Sequence, residues 1–129
     1  MAQFYKTVMR ALIVDDSKTV RMVLAKSLRE SGFEVLEAED GQVAIDRLYQ
    51  GEPVDLMLVD WNMPVMNGYE LVCAVRANVL LSHIRIMMVT TETSMTQVEK
   101  ALAAGANEYL MKPFTKEQLL EKLTILGLI

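Results

Sequence analysis

The sequence has one cysteine, one histidine and one tryptophan among 129 residues. A single cysteine cannot make an internal disulfide, which points to a reducing compartment and a cytoplasmic location. One histidine and one cysteine cannot supply the nitrogen and sulfur ligands of a zinc site. The lone histidine, His83, falls between a helix and a strand. It is expected to be solvated, and it lacks the helical platform of a phospho-relay histidine. No apolar run approaches the roughly 20 residues that cross a bilayer. Met1 to Arg10 has no apolar core of signal-peptide length, so no membrane association is expected. Positive charge is also scarce: 13 Lys and Arg stand against 17 Asp and Glu, for a net charge of -4. That balance argues against a nucleic-acid partner, which selects for a basic patch. There is no linker, no low-complexity run and no internal repeat beyond a β-α unit.

What is abundant is apolar mass. Hydrophobic residues make up 52% of the chain, enough at this length to bury one core. One domain over residues 1–129 is expected, with its core at about 8–128 and no separate output domain. Ten methionines sit mostly at core-like positions, where the flexible thioether fills gaps.

Apolar runs and amphipathic stretches alternate along the chain. Val8 to Val14 reads as a buried strand ending at Asp15-Asp16. Ser17 to Glu30 carries Val20, Val23, Leu24 and Leu28 at helical spacing, and Gly32 stands at the C-terminal cap position. Phe33 to Ala38 alternates like a strand with one partly wet face. Asp40 caps a short helix with Ala44, Ile45 and Leu48 inside, ending near Gly51. Asp55 to Val59 is a third strand, wholly apolar after its first residue and buried on both faces. Asn67-Gly68 opens a helix with Leu71, Val72 and Val75 on its inner face, and Cys73 within it reads as a small core residue. Ile84 to Val89 is a fourth strand, ending at Thr90-Thr91-Glu92. Ser94-x-x-Gln97 is a capping box ahead of Met95, Val98, Ala101 and Leu102, and Gly105 ends that helix. Glu108 to Met111 is a short fifth strand before Lys112-Pro113. Thr115-x-x-Gln118 is a second capping box, opening a helix with Leu119, Leu120, Leu123 and Leu126 inside. Five strands and five helices in strict alternation imply an α/β fold, with a parallel sheet covered on both faces.

In such a sheet every strand C-terminus lies on one edge, where open α/β folds bind ligands. The polar residues there are Asp15 and Asp16, Asp60, Thr90 and Lys112. If the first and third strands are neighbours, their carboxylates crowd together and repel unless a cation sits among them. All-oxygen donors select a hard cation, and a partly hydrated site with few carboxylates suits Mg²⁺. A carboxylate can attack phosphorus and form an aspartyl phosphate. Positioning and charge neutralisation dominate that chemistry. Mg²⁺, the Lys112 ammonium, the Thr90 hydroxyl and N–H groups of the loop after Asp60 would supply the neutralisation.

The segments Leu12-Ile13-Val14-Asp15-Asp16, Asp60-Trp61-Asn62-Met63-Pro64, Met88-Val89-Thr90, Gly105-Ala106 and Lys112-Pro113-Phe114-Thr115 resemble the receiver domains of two-component response regulators. The likeness is greatest to their single-domain chemotaxis members and runs from about Arg10 to Leu128. It implies a doubly wound (βα)5, flavodoxin-like sheet in the order 2-1-3-4-5. It implies that Asp60 accepts a phosphoryl group from a histidine kinase or phosphotransfer protein. Asp16, Asp60 and the backbone carbonyl of Asn62 would ligate Mg²⁺ directly, and Asp15 would act through a bound water. Lys112 would pair with Asp60, across a Lys112–Pro113 bond expected to be cis. Thr90 would move toward the phosphoryl group and Tyr109 would swing inward behind it. Asn62 and Glu92 occupy positions that tune dephosphorylation. Thr91 departs from the family, which has a small residue there, and would narrow the approach to Asp60.

The face made by the fourth helix, fifth strand and fifth helix, with Tyr109, Met111 and Lys122, is expected to bind a downstream target protein, for which the flagellar motor switch is a candidate. The chain is expected to be a monomeric signalling switch with self-catalysed phosphorylation and dephosphorylation, not a metabolic enzyme. Three other readings compete. One is a phosphate sink or relay intermediate without an output partner. Another is an aspartyl-phosphate phosphohydrolase, which needs a second acid two residues after the nucleophile, where Asn62 stands. The third is an FMN-binding flavodoxin-like protein, which needs a phosphate-cradling loop after the first strand, where Asp15-Asp16 would repel a phosphate. Trp61, beside Asp60, is a fluorescent reporter of the site.

Overall fold

The computed structural model describes residues 8–91 and 95–129. The strands are β1 (Arg10–Val14), β2 (Glu34–Ala38), β3 (Leu56–Val59), β4 (Arg85–Thr90) and β5 (Glu108–Met111). The helices are α1 (Lys18–Glu30), α2 (Gly41–Tyr49), α3 (Gly68–Ala77), α4 (Met95–Ala104) and α5 (Lys116–Ile125), with a 3-10 turn at Val79–Leu81. Every strand pair is parallel, and the sheet order is β2-β1-β3-β4-β5. This is the expected α/β fold and strand order.

Because side chains alternate across a strand, the sheet feeds two cores. Leu12, Val14, Met57, Val59, Ile86 and Met88 meet the inner faces of α2, α3 and α4 on one side. Ala11, Ile13, Leu56, Leu58, Met87, Val89 and Leu110 meet α1 and α5 on the other. All four β3 residues are buried, which is why that strand reads as unbroken apolar sequence.

The helix starts are set by local chemistry. Ser17 accepts the Val20 N–H, and Asp40 accepts that of Val43. Thr115 and Gln118 form the expected capping box of α5. Asn67 and Glu70 form another at α3, which the sequence reading missed although the spacing is there. Ser94, of the box proposed for α4, lies outside the described residues. Gly32 and Gly105 end α1 and α4 at positive φ.

Several expectations are corrected. β1 begins at Arg10, not Val8. The edge strand β2 does not alternate: Val35, Leu36 and Glu37 are all half-buried. In α1, Val23 is 51% exposed, because the buried stripe runs through Leu24, Ala25 and Leu28. In α4, Met95 and Leu102 are exposed, whereas Val98 and Ala101 are buried. In α5, Leu119 and Leu123 are buried, whereas Leu120 and Leu126 are half-buried. Cys73 is exposed, since Leu71, Val72 and Val75 occupy the inner face of α3. The methionines divide: Met57, Met87 and Met88 are core, while Met22 and Met95 lie at the surface.

At the N-terminal edge of the sheet Arg76 ties several elements together. Its guanidinium donates to the carbonyls of Gly105 at 2.9 Å and Ile84 at 2.6 Å, and to Asn107 Oδ1 at 3.0 Å.

Candidate functional site

The site is assembled at the C-terminal edge of the sheet by backbone pairing. Asp60 N–H donates to the Val14 carbonyl at 2.9 Å, which sets the end of β3 against the end of β1. Asp15 N–H donates to the Ala38 carbonyl at 3.1 Å, and Lys112 N–H to the Thr90 carbonyl at 3.0 Å. Thus Asp15, Asp16, Asp60, Thr90 and Lys112, read from four strand ends, reach one edge. Asp15, Asp60 and Thr90 are buried, whereas Asp16 is exposed. One carboxylate oxygen from each of Asp15, Asp16 and Asp60 lies within 4.8 Å of the others.

Lys112 lies between two of these acids. Its Nζ is 2.8 Å from Asp15 Oδ2 and 3.6 Å from Asp60 Oδ2. The expected pairing was with Asp60. The shorter contact instead goes to Asp15, the more deeply buried carboxylate at 2% exposure, where an unpaired charge would be costlier. The Lys112–Pro113 peptide is cis. Asp15 is otherwise committed: its Oδ1 accepts the Ser17 N–H at 2.8 Å, and its carbonyl accepts from Arg21 Nη1 at 2.6 Å.

Burial pushes the Asp60 carboxyl above its ordinary value, Lys112 pulls it back, and the neighbouring Asp15 raises it further. The Asn62 backbone N–H, bonded to the carboxylate, lowers it, and Asp16 raises it slightly. The result is a partly desolvated carboxylate with the Lys112 ammonium 3.6 Å away. The donor set is all oxygen, with no imidazole or thiolate among the clustered residues. It therefore fits a hard divalent cation such as Mg²⁺.

The loop after Asp60 is held by a residue the sequence reading took only for a helix start. Gly68 N–H donates to the Trp61 carbonyl at 2.9 Å. A Cβ at position 68 would lie 2.1 Å from the Asp60 carbonyl oxygen. Within this loop Val65 has φ 68°, an uncommon conformation for a β-branched residue. Trp61 is half-buried, its ring 5.7 Å from that of Tyr69. Lys100 Nζ of α4 lies over the Tyr69 ring, 4.4 Å from its centroid. Cys73 adjoins the same group, and its hydrogen bond pushes the Tyr69 phenol above its ordinary value.

Away from the carboxylates, Tyr109 and Met111 of β5 and Lys122 of α5 share one face. Tyr109 lines a small apolar cavity together with Thr90, Trp61, Met88, Val98 and Ala101. Thr91 and His83 are exposed. Glu92 lies outside the described residues. Glu108, which the sequence reading passed over as a strand start, accepts from Lys122 Nζ at 2.9 Å. An acid followed by an aromatic, with a lysine across from both, was the available signal.

Residues 11–124 match the model of the response regulator receiver domain family. A CheY homologue from Campylobacter jejuni is 48% identical over 116 residues, covering 89% of each chain. The chemotaxis protein CheY1 of Helicobacter pylori J99 is 45% identical over 118 residues, 91% of this chain and 95% of that protein. Among solved structures, the chemotaxis response regulator CheY4 of Vibrio cholerae superimposes with a TM-score of 0.85 at 39% identity, over 92% of this chain and 98% of that one.

Proposed function

The chain belongs to the response regulator receiver domain family and is of the CheY type, and from that premise we propose that it is a phosphorylation-controlled binding switch of chemotaxis or motility signalling, acting in the cytoplasm. The observation that carries this reading is the convergence of Asp15, Asp16 and Asp60 with Lys112 Nζ 2.8 Å and 3.6 Å from two of them.

An Asp60 carboxylate oxygen attacks the phosphorus of a phosphohistidine on a histidine kinase or phosphotransfer protein. The P–N bond breaks, and the imidazole leaves as it takes up a proton. Lys112 then pairs with a phosphoryl oxygen, and Thr90 donates its hydroxyl to another. Asp16, Asp60 and the carbonyl of Asn62 are the groups that would hold Mg²⁺, with Asp15 acting through a water. When bound, the ion would neutralise charge on the phosphoryl oxygens. Hydrolysis returns Asp60 to its carboxylate, with Asn62 and Glu92 tuning the approach of water. Asn62 stands where a phosphohydrolase would carry its second acid, which favours a slow switch over a turnover enzyme.

Output belongs to the α4–β5–α5 face. The cavity shared by Thr90 and Tyr109 supports this over a pure phosphate sink, because it gives a route from the site to the surface. The downstream target is a separate protein, with the flagellar motor switch as the candidate.

Trp61 emission tests the chemistry. Mg²⁺ and then acetyl phosphate should each change the emission of the wild type, and an acid-labile adduct of one phosphoryl group should form. Asp60→Asn should form no adduct. A wild type that responds to neither addition would overturn the receiver chemistry. Capture of a purified motor-switch protein only in the presence of phosphodonor separates the output reading from the sink.

A further inference from the structure

We propose that Glu108 and Lys122 form an intramolecular latch that holds the half-buried Tyr109 ring against the Lys122 ammonium and must open before output. The inference rests on the reading of α4–β5–α5 as the output face and adds how that face is held off.

One oxygen organises the latch. Glu108 Oε1 accepts from Lys122 Nζ at 2.9 Å and from the Tyr109 backbone N–H at 3.0 Å. The Lys122 ammonium thereby comes to rest 4.5 Å from the centre of the Tyr109 ring. The pair is not a loose surface contact: the Lys122 and Glu108 side chains are 24% and 16% exposed. Glu108 fixes the ammonium, the ammonium attracts the electron-rich ring face, and the ring is drawn toward α5. Without Glu108, a lysine over a partly exposed ring would have to give up its rotamer freedom for the cation–π contact alone.

The inward position has its own requirement. The cavity that Tyr109 helps to line has about 10 Å³ of room, on the scale of one water. Its walls include Val98 and Ala101 of α4. A phenol ring therefore enters only if α4 moves, and the ring must also leave the Lys122 ammonium. The two conditions together make a two-state element that a phosphoryl group near Thr90 can bias. Opening the latch also frees Lys122 from its internal carboxylate, so the same event would offer a cation to a partner.

Glu108→Gln keeps the side-chain shape and removes the charge that anchors Lys122. Lys122→Met keeps an apolar stem beside Tyr109 and removes the ammonium. Each is compared with wild type by NMR of ring-labelled tyrosine, without partner, during an acetyl phosphate titration in Mg²⁺. In both variants the Tyr109 signals of the unphosphorylated protein should lie displaced toward those of the phosphorylated wild type. The donor concentration at half-conversion of the Tyr109 signal should fall about two- to five-fold, the range of a modest ion pair. Wild type at 1 M salt should shift in the same direction and Glu108→Gln should not, because salt screens the pair. If both variants start and titrate as wild type does, the latch is wrong. If the wild-type Tyr109 signal does not respond to the donor although the adduct forms, the latch and the proposed output route both fail. Failure to form the adduct at all instead overturns the phosphorylation chemistry.

Discussion

On the proposed chemistry Asp60 must be two things that oppose each other: buried enough to be shielded, and charged enough to attack phosphorus. Burial and the adjacent Asp15 favour its neutral form, while Lys112 and the Asn62 N–H favour the ionised one, and the net shift is upward. The consequence for stability has a definite sign. With its pKa raised on folding, the folded protein binds this proton more tightly than the unfolded chain. Ionisation of Asp60 therefore costs stability as pH rises from the ordinary carboxylate value through the raised one, and the full cost persists above it. Asp60→Asn should thus melt at a higher temperature than wild type at neutral pH in chelator. The gap should close as pH falls below the ordinary carboxylate range, where Asp60 is neutral in both states. Thermal melts of the two proteins across pH 3 to 8 measure it, and Lys112 keeps its Asp15 partner in both. A variant less stable than wild type at neutral pH, or a gap independent of pH, would contradict the assignment.

At the scale of the element, β3, its loop and α3 act as one bracket around the carboxylate, and Gly68 closes it. Alanine is the better helix former by about 1 kcal/mol, so Gly68→Ala would stabilise α3 if only the helix mattered. The Cβ would instead lie 2.1 Å from the Asp60 carbonyl oxygen and 3.0 Å from the Trp61 Cα, both backbone. The substitution should cost about 1–3 kcal/mol in chemical denaturation and slow adduct formation with acetyl phosphate. A Gly68→Ala protein as stable as wild type would show that the loop yields freely. This contact explains what could not be read from the chain. The unbroken apolar run of β3, the Asp40 cap and the Thr115-x-x-Gln118 box were legible because each is decided within a few residues. The polar strand ends were legible because a parallel sheet sends them all to one edge. The order of strands rested on resemblance, since periodicity does not say which strands pair. Gly68 was hidden because its constraint is a close approach across a loop. Cys73, Val23, Met95 and Leu102 were misplaced for a related reason: an apolar residue near a helical stripe is buried only as far as its neighbours reach over it. The preference of Lys112 for Asp15 needed the relative depth of two acids, which only the packed structure supplies.

Across the whole molecule the two edges of the sheet do different work. The C-terminal edge gathers three carboxylates around Lys112, with Val65 at positive φ in the loop beside them. The N-terminal edge is bolted by Arg76, whose guanidinium reaches from α3 to the carbonyl that ends β4's approach, to Gly105 after α4 and to Asn107 before β5. Asn107 in turn accepts the Ile86 N–H at 2.8 Å. α4 is therefore tied where it ends, so the displacement of Val98 and Ala101 that the proposed latch requires would be a pivot about the Gly105 end. Breaking the bolt should cost stability and coordination together. Arg76→Ala removes charged hydrogen bonds to partly buried acceptors, and a loss of about 2–3 kcal/mol is expected. Lysine should restore little of it, because one ammonium cannot reproduce the planar fork that reaches Gly105, Ile84 and Asn107 at once. Hydrogen exchange should quicken in α4 and β5 well beyond the rise in β1, whose register does not involve Arg76. If Arg76→Lys matches wild type in both denaturation and exchange, the N-terminal edge is not the pivot, and motion of α4 must be anchored elsewhere.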